Sequence, residues 1–166
     1  MRLLGGASSL SFAAAHRCNV TLMKRELSVA GVKCDIPQIE DFLEHACKDA
    51  GVDPSASFDL HLALEEACCN VIEHAYEGQG GELNVGFETV GRDVILTVHD
   101  HGHAFDPDTI AAPDLSVPLV DRPIGGLGLH IMGQVMDDLR FSFSDTGNTL
   151  VMLKRDALPA SPTLGE

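Results

Sequence analysis

Two runs of alternating apolar and polar residues, ELNVGFETV over 82–90 and DVILTVHD over 93–100, are separated only by Gly91-Arg92. A side-chain period of two over runs this long is a strand signal. Two intervening residues, the first a glycine, make a hairpin turn. This pairing constrains the chain more than any other feature, because it commits the middle of the sequence to an antiparallel sheet. A second pair repeats it near the end: DLRFSFSD over 138–145 and NTLVMLKR over 148–155, joined at Thr146-Gly147. RELSVAGVK at 25–33 alternates more loosely and reads as a first strand.

Helical periodicity fills the gaps. In DIPQIEDFLEHACKDAG, Asp35 is placed to cap a helix, Pro37 suits its first turn and Gly51 closes it. Ile36, Ile39, Phe42, Leu43 and Ala46 form its inward stripe. After VDPSAS, a loop with a second cap signal, a long helix runs to about Tyr76 and stops at EGQGG. A third helix starts near Leu127. Hairpins with interspersed helices predict an α+β fold: a two-layer sandwich, its sheet mixed but mostly antiparallel, with helices on one face.

A length of 166 residues suits one domain, and 45 % hydrophobic residues suffice for its core. Aromatics are only 5 % and Trp is absent, so aliphatic side chains must fill that core. The domain is expected over 23–156, with a flexible tail over 157–166. Residues 1–22 have a weak basic region and an apolar stretch broken by Gly and Ser. They echo a signal peptide faintly and read as a dispensable extension ahead of Met23. No apolar run reaches the roughly 18–20 residues of a membrane span. Eleven Lys and Arg against 25 Asp and Glu give a formal charge of −14, which argues against a nucleic-acid backbone as partner. Five cysteines, an odd number with no C-x-x-C, define neither a disulfide framework nor a zinc ribbon and read as reduced thiols.

The chemistry is concentrated in four pieces. In LEEACCNVIEHAYE, 64–77, Glu66, Asn70 and His74 recur at i, i+4 and i+8 and so share one helix face amid apolar neighbours. Buried polar groups of this kind need a partner. DHGHAFDP, 100–107, lies at a strand end, GGLGLHIM, 125–132, opens a helix, and TGNT, 146–149, precedes the last strand. Glycines at a helix N-terminus make an anion site, since free N–H groups and the helix dipole point at the ligand. A Glu and an Asn one turn apart, facing such a site, suit a magnesium ion and a polarised attacking group. The segment between the second and third pieces is long and proline-rich, which marks a functional loop. His99, His101 and His103 offer a rival metal site, weighed against the use that Asp100-x-Gly102 already has.

In this order the four pieces resemble the GHKL ATPase superfamily of gyrases, heat-shock chaperones, histidine kinases and mismatch-repair ATPases. The likeness covers roughly 25–155: Glu66-x-x-x-Asn70, Asp100-His-Gly102-His-Ala-Phe105, Gly126-Leu127-Gly128 and Gly147-Asn-Thr149. Asn70-Val-Ile-Glu-His74-Ala75-Tyr76 brings it closest to the anti-sigma-factor serine kinases. The length leaves no room for the dimerisation segment of a histidine kinase or for a transducer domain.

The resemblance implies a role for each residue. Asp100 accepts a hydrogen bond from the adenine amino group, Gly102 lets the backbone approach the base, and Thr149 supports the same edge through water. Asn70 ligates Mg2+, Gly126, Leu127 and Gly128 meet the phosphates, Phe105 completes the first glycine box, and a lid runs from about 107 to 125. Glu66 is the base for an incoming serine hydroxyl, and His74 is structural, pinning the helix end. Arg122 is separated from the second box by Pro123 and Ile124, a departure from the family pattern. The implied protein is a cytoplasmic serine kinase and anti-sigma factor of a partner-switching system, using ATP and Mg2+. Its substrate would be a STAS-type anti-anti-sigma protein, its captive a sigma factor or other regulator, and dimerisation is usual in such relatives. The alternative is a nucleotide-dependent binding module with little kinase activity.

Overall fold

The computed structural model describes residues 23–103 and 126–160. In chain order they form β1 (Lys24–Val29), a 3-10 turn (Lys33–Asp35), α1 (Ile36–Ala50), α2 (Pro54–Asn70) and a π turn (Val71–Ala75). There follow β2 (Leu83–Val90), β3 (Asp93–Asp100), α3 (Gly126–Val135), β4 (Asp138–Ser144) and β5 (Gly147–Lys154). The strands lie in the order β1-β2-β3-β5-β4. Every pairing is antiparallel, so among the described residues the sheet has no parallel part.

Local chemistry accounts for most of these boundaries. The β2–β3 hairpin closes with Val90 opposite Asp93, and Gly91 supplies the positive φ its turn needs. β1 stops at Val29, short of the expected 33, because Gly31 has a φ of +64° and packs on the Gly81 carbonyl. The Asp35 carboxylate accepts from the Val32 N–H (3.1 Å), so it caps the 3-10 turn and not α1 itself. Gly51 ends α1 in the left-handed conformation. Asp53 caps α2 by accepting from Ser55 N (2.9 Å), with Pro54 at the first helical position.

The core lies between one sheet face and the helices. Leu83, Val85 and Phe87 of β2, Val94, Leu96 and Val98 of β3, and Leu150 and Met152 of β5 alternate inward. They meet Ile39 and Leu43 of α1, Leu60, Leu64 and Cys68 of α2, and Met132 of α3. Each such side chain contributes about 1.5–3 kcal/mol on full burial. No helix among the described residues is long and apolar enough to cross a membrane.

The expected flexible tail is docked where it begins. Ala157 is fully buried, its carbonyl accepts from Asp53 N (2.8 Å), and Leu158 N donates to Arg92 O (2.9 Å). The chain after β5 therefore seals the gap between the start of α2 and the β2–β3 turn. Residues 1–22 and 161–166 lie outside the described residues.

Candidate functional site

The helix carrying Glu66 and Asn70 does not run unchanged to Tyr76. Over Val71–Ala75 it widens into a π turn, closed by Tyr76 N donating to Val71 O (2.9 Å). Such turns recur at functional sites. The wider turn brings Ala75 inward one residue later than α-helical spacing would bring His74, and His74 is exposed. The expected third member of the stripe has left it, and Tyr76 does the pinning assigned to His74. Its ring fits a slot made by two glycines: a Cβ at Gly81 would lie 2.3 Å from the ring and one at Gly31 3.1 Å. Its hydroxyl donates to Glu82 O and accepts from His101 N (2.9 Å).

The same turn fixes the chain after β3. Ala75 O accepts from His103 N (3.0 Å). Gly102 sits so close that a Cβ there would lie 2.5 Å from that carbonyl oxygen and 2.7 Å from its carbon. Because the obstacle is backbone, Gly102→Ala is expected to cost about 1–3 kcal/mol, read as a lower denaturant midpoint.

Asp100, 5 % exposed, ends β3 inside this corner. Its Oδ1 accepts from Gly102 N (2.8 Å) and from Asn148 Nδ2 (2.9 Å). Register sets this up, since Asp100 pairs with Asn148 and His99 with Thr149. Strand alternation puts each pair on its own face. The Thr149 hydroxyl is therefore bonded to His99 Nδ1 (2.9 Å), not directed at Asp100. Thr149 borders the cleft, and the side chain bonded directly to Asp100 is its neighbour Asn148. The motif Gly147-Asn-Thr149 contained Asn148, and the pairing register is the signal that sets it on Asp100.

At the other end, Glu66 and Asn70 meet the second glycine motif. A Cβ at Gly128 would lie 2.7 Å from Glu66 Oε2 and 3.3 Å from Asn70 Nδ2. The glycine thus leaves room for two polar side chains at the first turn of α3, which begins with Gly126, Leu127 and Gly128. Both are half-buried. Burial, then the negative charges of Glu65 and Glu73, push the Glu66 carboxyl above the ordinary glutamate range. The carboxamide and carboxylate oxygens are hard donors of the kind magnesium takes, so the residues present fit that ion.

Between the two ends lies an open cleft. Asn70, Asp100 and Asn148 border it, and Val98, Met132 and Leu150 supply apolar floor. A few polar groups around an apolar floor suit a small organic ligand. Among the described residues no group of three His, Cys, Asp or Glu side chains is placed to hold a metal, so the histidine alternative gains no support. Phe105, Arg122 and the segment expected as a lid lie outside the described residues.

An antiparallel sheet backing three helices, with its cleft at the ends of β3 and α2, is an α+β architecture of GHKL type. The sequence matches the family described as Histidine kinase-like ATPase domain over residues 32–154. The chain belongs to that family. It is 33 % identical over 100 residues to proteins named "Serine-protein kinase RsbW" from Bacillus cereus (strain AH820) and Bacillus thuringiensis (strain Al Hakam), 58 % of this chain and 62 % of each relative. The chain thus spans less than two thirds of the length of these relatives. Among solved structures, the RsbU and RsbW domains of a Mycobacterium tuberculosis protein superpose with a TM-score of 0.58 at 19 % identity, covering 82 % of this chain and 34 % of that one. That likeness is one of fold.

Proposed function

We propose that this domain binds ATP and transfers its γ-phosphoryl group to a serine of a partner protein, as the anti-sigma kinase of a partner-switching system. One observation carries the reading: the cleft joins a fixed carboxylate, Asp100, at one end to a Glu66–Asn70–Gly128 cluster at the other. Asp100 Oδ1 is held by two donors, and among the described residues Oδ2 has none, so it is the acceptor left for the amino group of adenine. Gly102 keeps the corner free of a side chain, and the first turn of α3, Gly126 to Gly128, presents N–H groups to phosphates. Asn70 would hold magnesium, which supplies charge neutralisation at the phosphates when bound. Glu66 stands where a base can orient or accept the proton of a serine hydroxyl. Phosphoryl transfer asks mainly for positioning and charge neutralisation, so this set is close to sufficient.

The names of the Bacillus relatives support a serine kinase, and the partners proposed are those that the resemblance to anti-sigma-factor kinases implies. The substrate is a STAS-type anti-anti-sigma protein and the captive a sigma factor or another regulator, met in the cytoplasm, with dimerisation as in similar kinases. The charge of −14 suits a basic partner surface. The test is incubation with Mg·ATP and a candidate STAS protein, followed by phosphoserine mapping. Serine phosphorylation with ATP and none with GTP is the expected result. Nucleotide binding without transfer to any STAS partner tried would favour the binding module instead.

A further inference from the structure

Asn148 has no role in the reading above, yet its carboxamide is the most connected polar side chain in the cleft. It is only 7 % exposed. Its Nδ2 lies 2.9 Å from Asp100 Oδ1, 3.1 Å from Gly102 O and 3.3 Å from His103 O. All three neighbours are oxygens, and none of them is a donor. The amide orientation is therefore fixed by chemistry, because the flipped amide would set its own oxygen against three others. Gly147 makes the approach possible: a Cβ there would lie 2.3 Å from Asp100 O, so only a glycine lets β5 start this close.

We infer that Asn148 is a base-selectivity residue, positioning Asp100 so that the corner where β3 and β5 meet offers the ligand two side-chain acceptors, Asp100 Oδ2 and Asn148 Oδ1. The inference rests on the nucleotide reading and deepens it. Asn148 Nδ2 and Gly102 N both occupy Asp100 Oδ1, which decides that Oδ2 is the oxygen left over. With Nδ2 turned to the protein, Asn148 Oδ1 is the other free end of the amide. Among the described residues no buried side-chain polar atom lacks a partner, so these two oxygens keep access to the cleft. Two acceptors side by side suit a base edge bearing an amino group, as in adenine. A carbonyl at the same place, as in hypoxanthine or guanine, faces oxygen against oxygen. Asn148 acts through Asp100 and is a positioning residue. A purely structural tie between β3 and β5 would serve either base equally.

The test is calorimetric titration with ADP and inosine diphosphate, which differ at that amino group, on wild type and Asn148→Leu. Wild type is expected to prefer ADP by about 10²-fold or more. In the variant this preference falls at least about tenfold, because an unheld carboxylate no longer meets the base in one geometry. Equal weakening of both ligands, with the preference kept, would overturn the inference while leaving the nucleotide reading standing. Failure of wild type to bind either would remove both. Should Asn148→Leu fail to fold, Asn148→Asp keeps the shape and removes the N–H. Two carboxyls in contact then share a proton at mildly acid pH and repel when both ionise. His99, His101 and His103, within three residues of Asp100 in sequence, and Tyr76, bonded to His101 N, are the titratable neighbours in both proteins, so the quantity read is the variant-to-wild-type ratio. Preference for ADP recovered at acid pH and lost at alkaline pH supports the inference. A ratio flat with pH overturns it.

Discussion

Glu66→Ala is expected to bind Mg·ATP with close to wild-type affinity and to transfer phosphate about 10²–10⁴-fold more slowly. Glu66 is half-buried and beside Gly128, but it is not among the residues bordering the base end of the cleft. Its removal leaves no described donor stranded, so the fold and the base contacts should persist. Titration calorimetry gives the affinity, and single-turnover transfer to the partner gives the rate. Binding and transfer lost in equal measure would instead make Glu66 a packing residue for the start of α3.

The pH dependence of that transfer has a definite sign. Burial, Glu65 and Glu73 all favour the neutral form of Glu66, raising it from 4.5. A base must be ionised, so the rate rises with pH through this raised value and levels off above it. The same shift favours folding while the group is protonated, and that contribution is lost as pH rises from the ordinary glutamate value through the folded one. Glu65→Gln removes the second cause and should move the acid limb of the pH–rate profile downward. An unmoved limb would mean that Glu65 does not act on this carboxyl.

What could be read from the sequence divides along physical lines. The hairpins were legible because period-two alternation and a glycine turn are local signals, and so was the α1 stop, where Gly51 has a φ of 73°. The π turn was not, because VIEHA continues an α-helical pattern equally well. The neighbours of that turn settle the matter: Ala75 O is recruited by His103 N, and Tyr76 is seated between Gly31 and Gly81. Glu66, Asn70, Gly128 and Asp100 were legible as motif members, since their spacing carries the information. The bond of Asn148 to Asp100 was not. A one-residue shift along a strand reverses the face, and the face is set by the pairing of Asp100 with Asn148, 48 residues apart. The docking of Ala157 and Leu158 escaped for a similar reason, because its partners are Asp53 and Arg92.

Asp100→Asn should invert the base preference of the cleft without unfolding the protein. The amide oxygen can take over the two bonds now made by Oδ1, from Gly102 N and from Asn148 Nδ2, so the corner of β3 and β5 stays closed. What changes is the other end, where an acceptor becomes an NH2 donor. An adenine amino group then meets donor against donor, whereas a carbonyl edge finds a partner. The expected outcome is an ADP affinity at least about 10²-fold weaker, since a buried polar group left unpaired costs this much or more. Inosine diphosphate should lose less or gain. A thermal melt checks it directly. Ligand at 100 times its dissociation constant stabilises wild type by about 2.7 kcal/mol. At the same ADP concentration the variant should show almost none of that shift, while its ligand-free midpoint stays near wild type. A variant still stabilised by ADP would show that Asp100 does not touch the base. A ligand-free midpoint that collapses would show that the carboxylate charge itself, beyond its hydrogen bonds, holds β3 to β5.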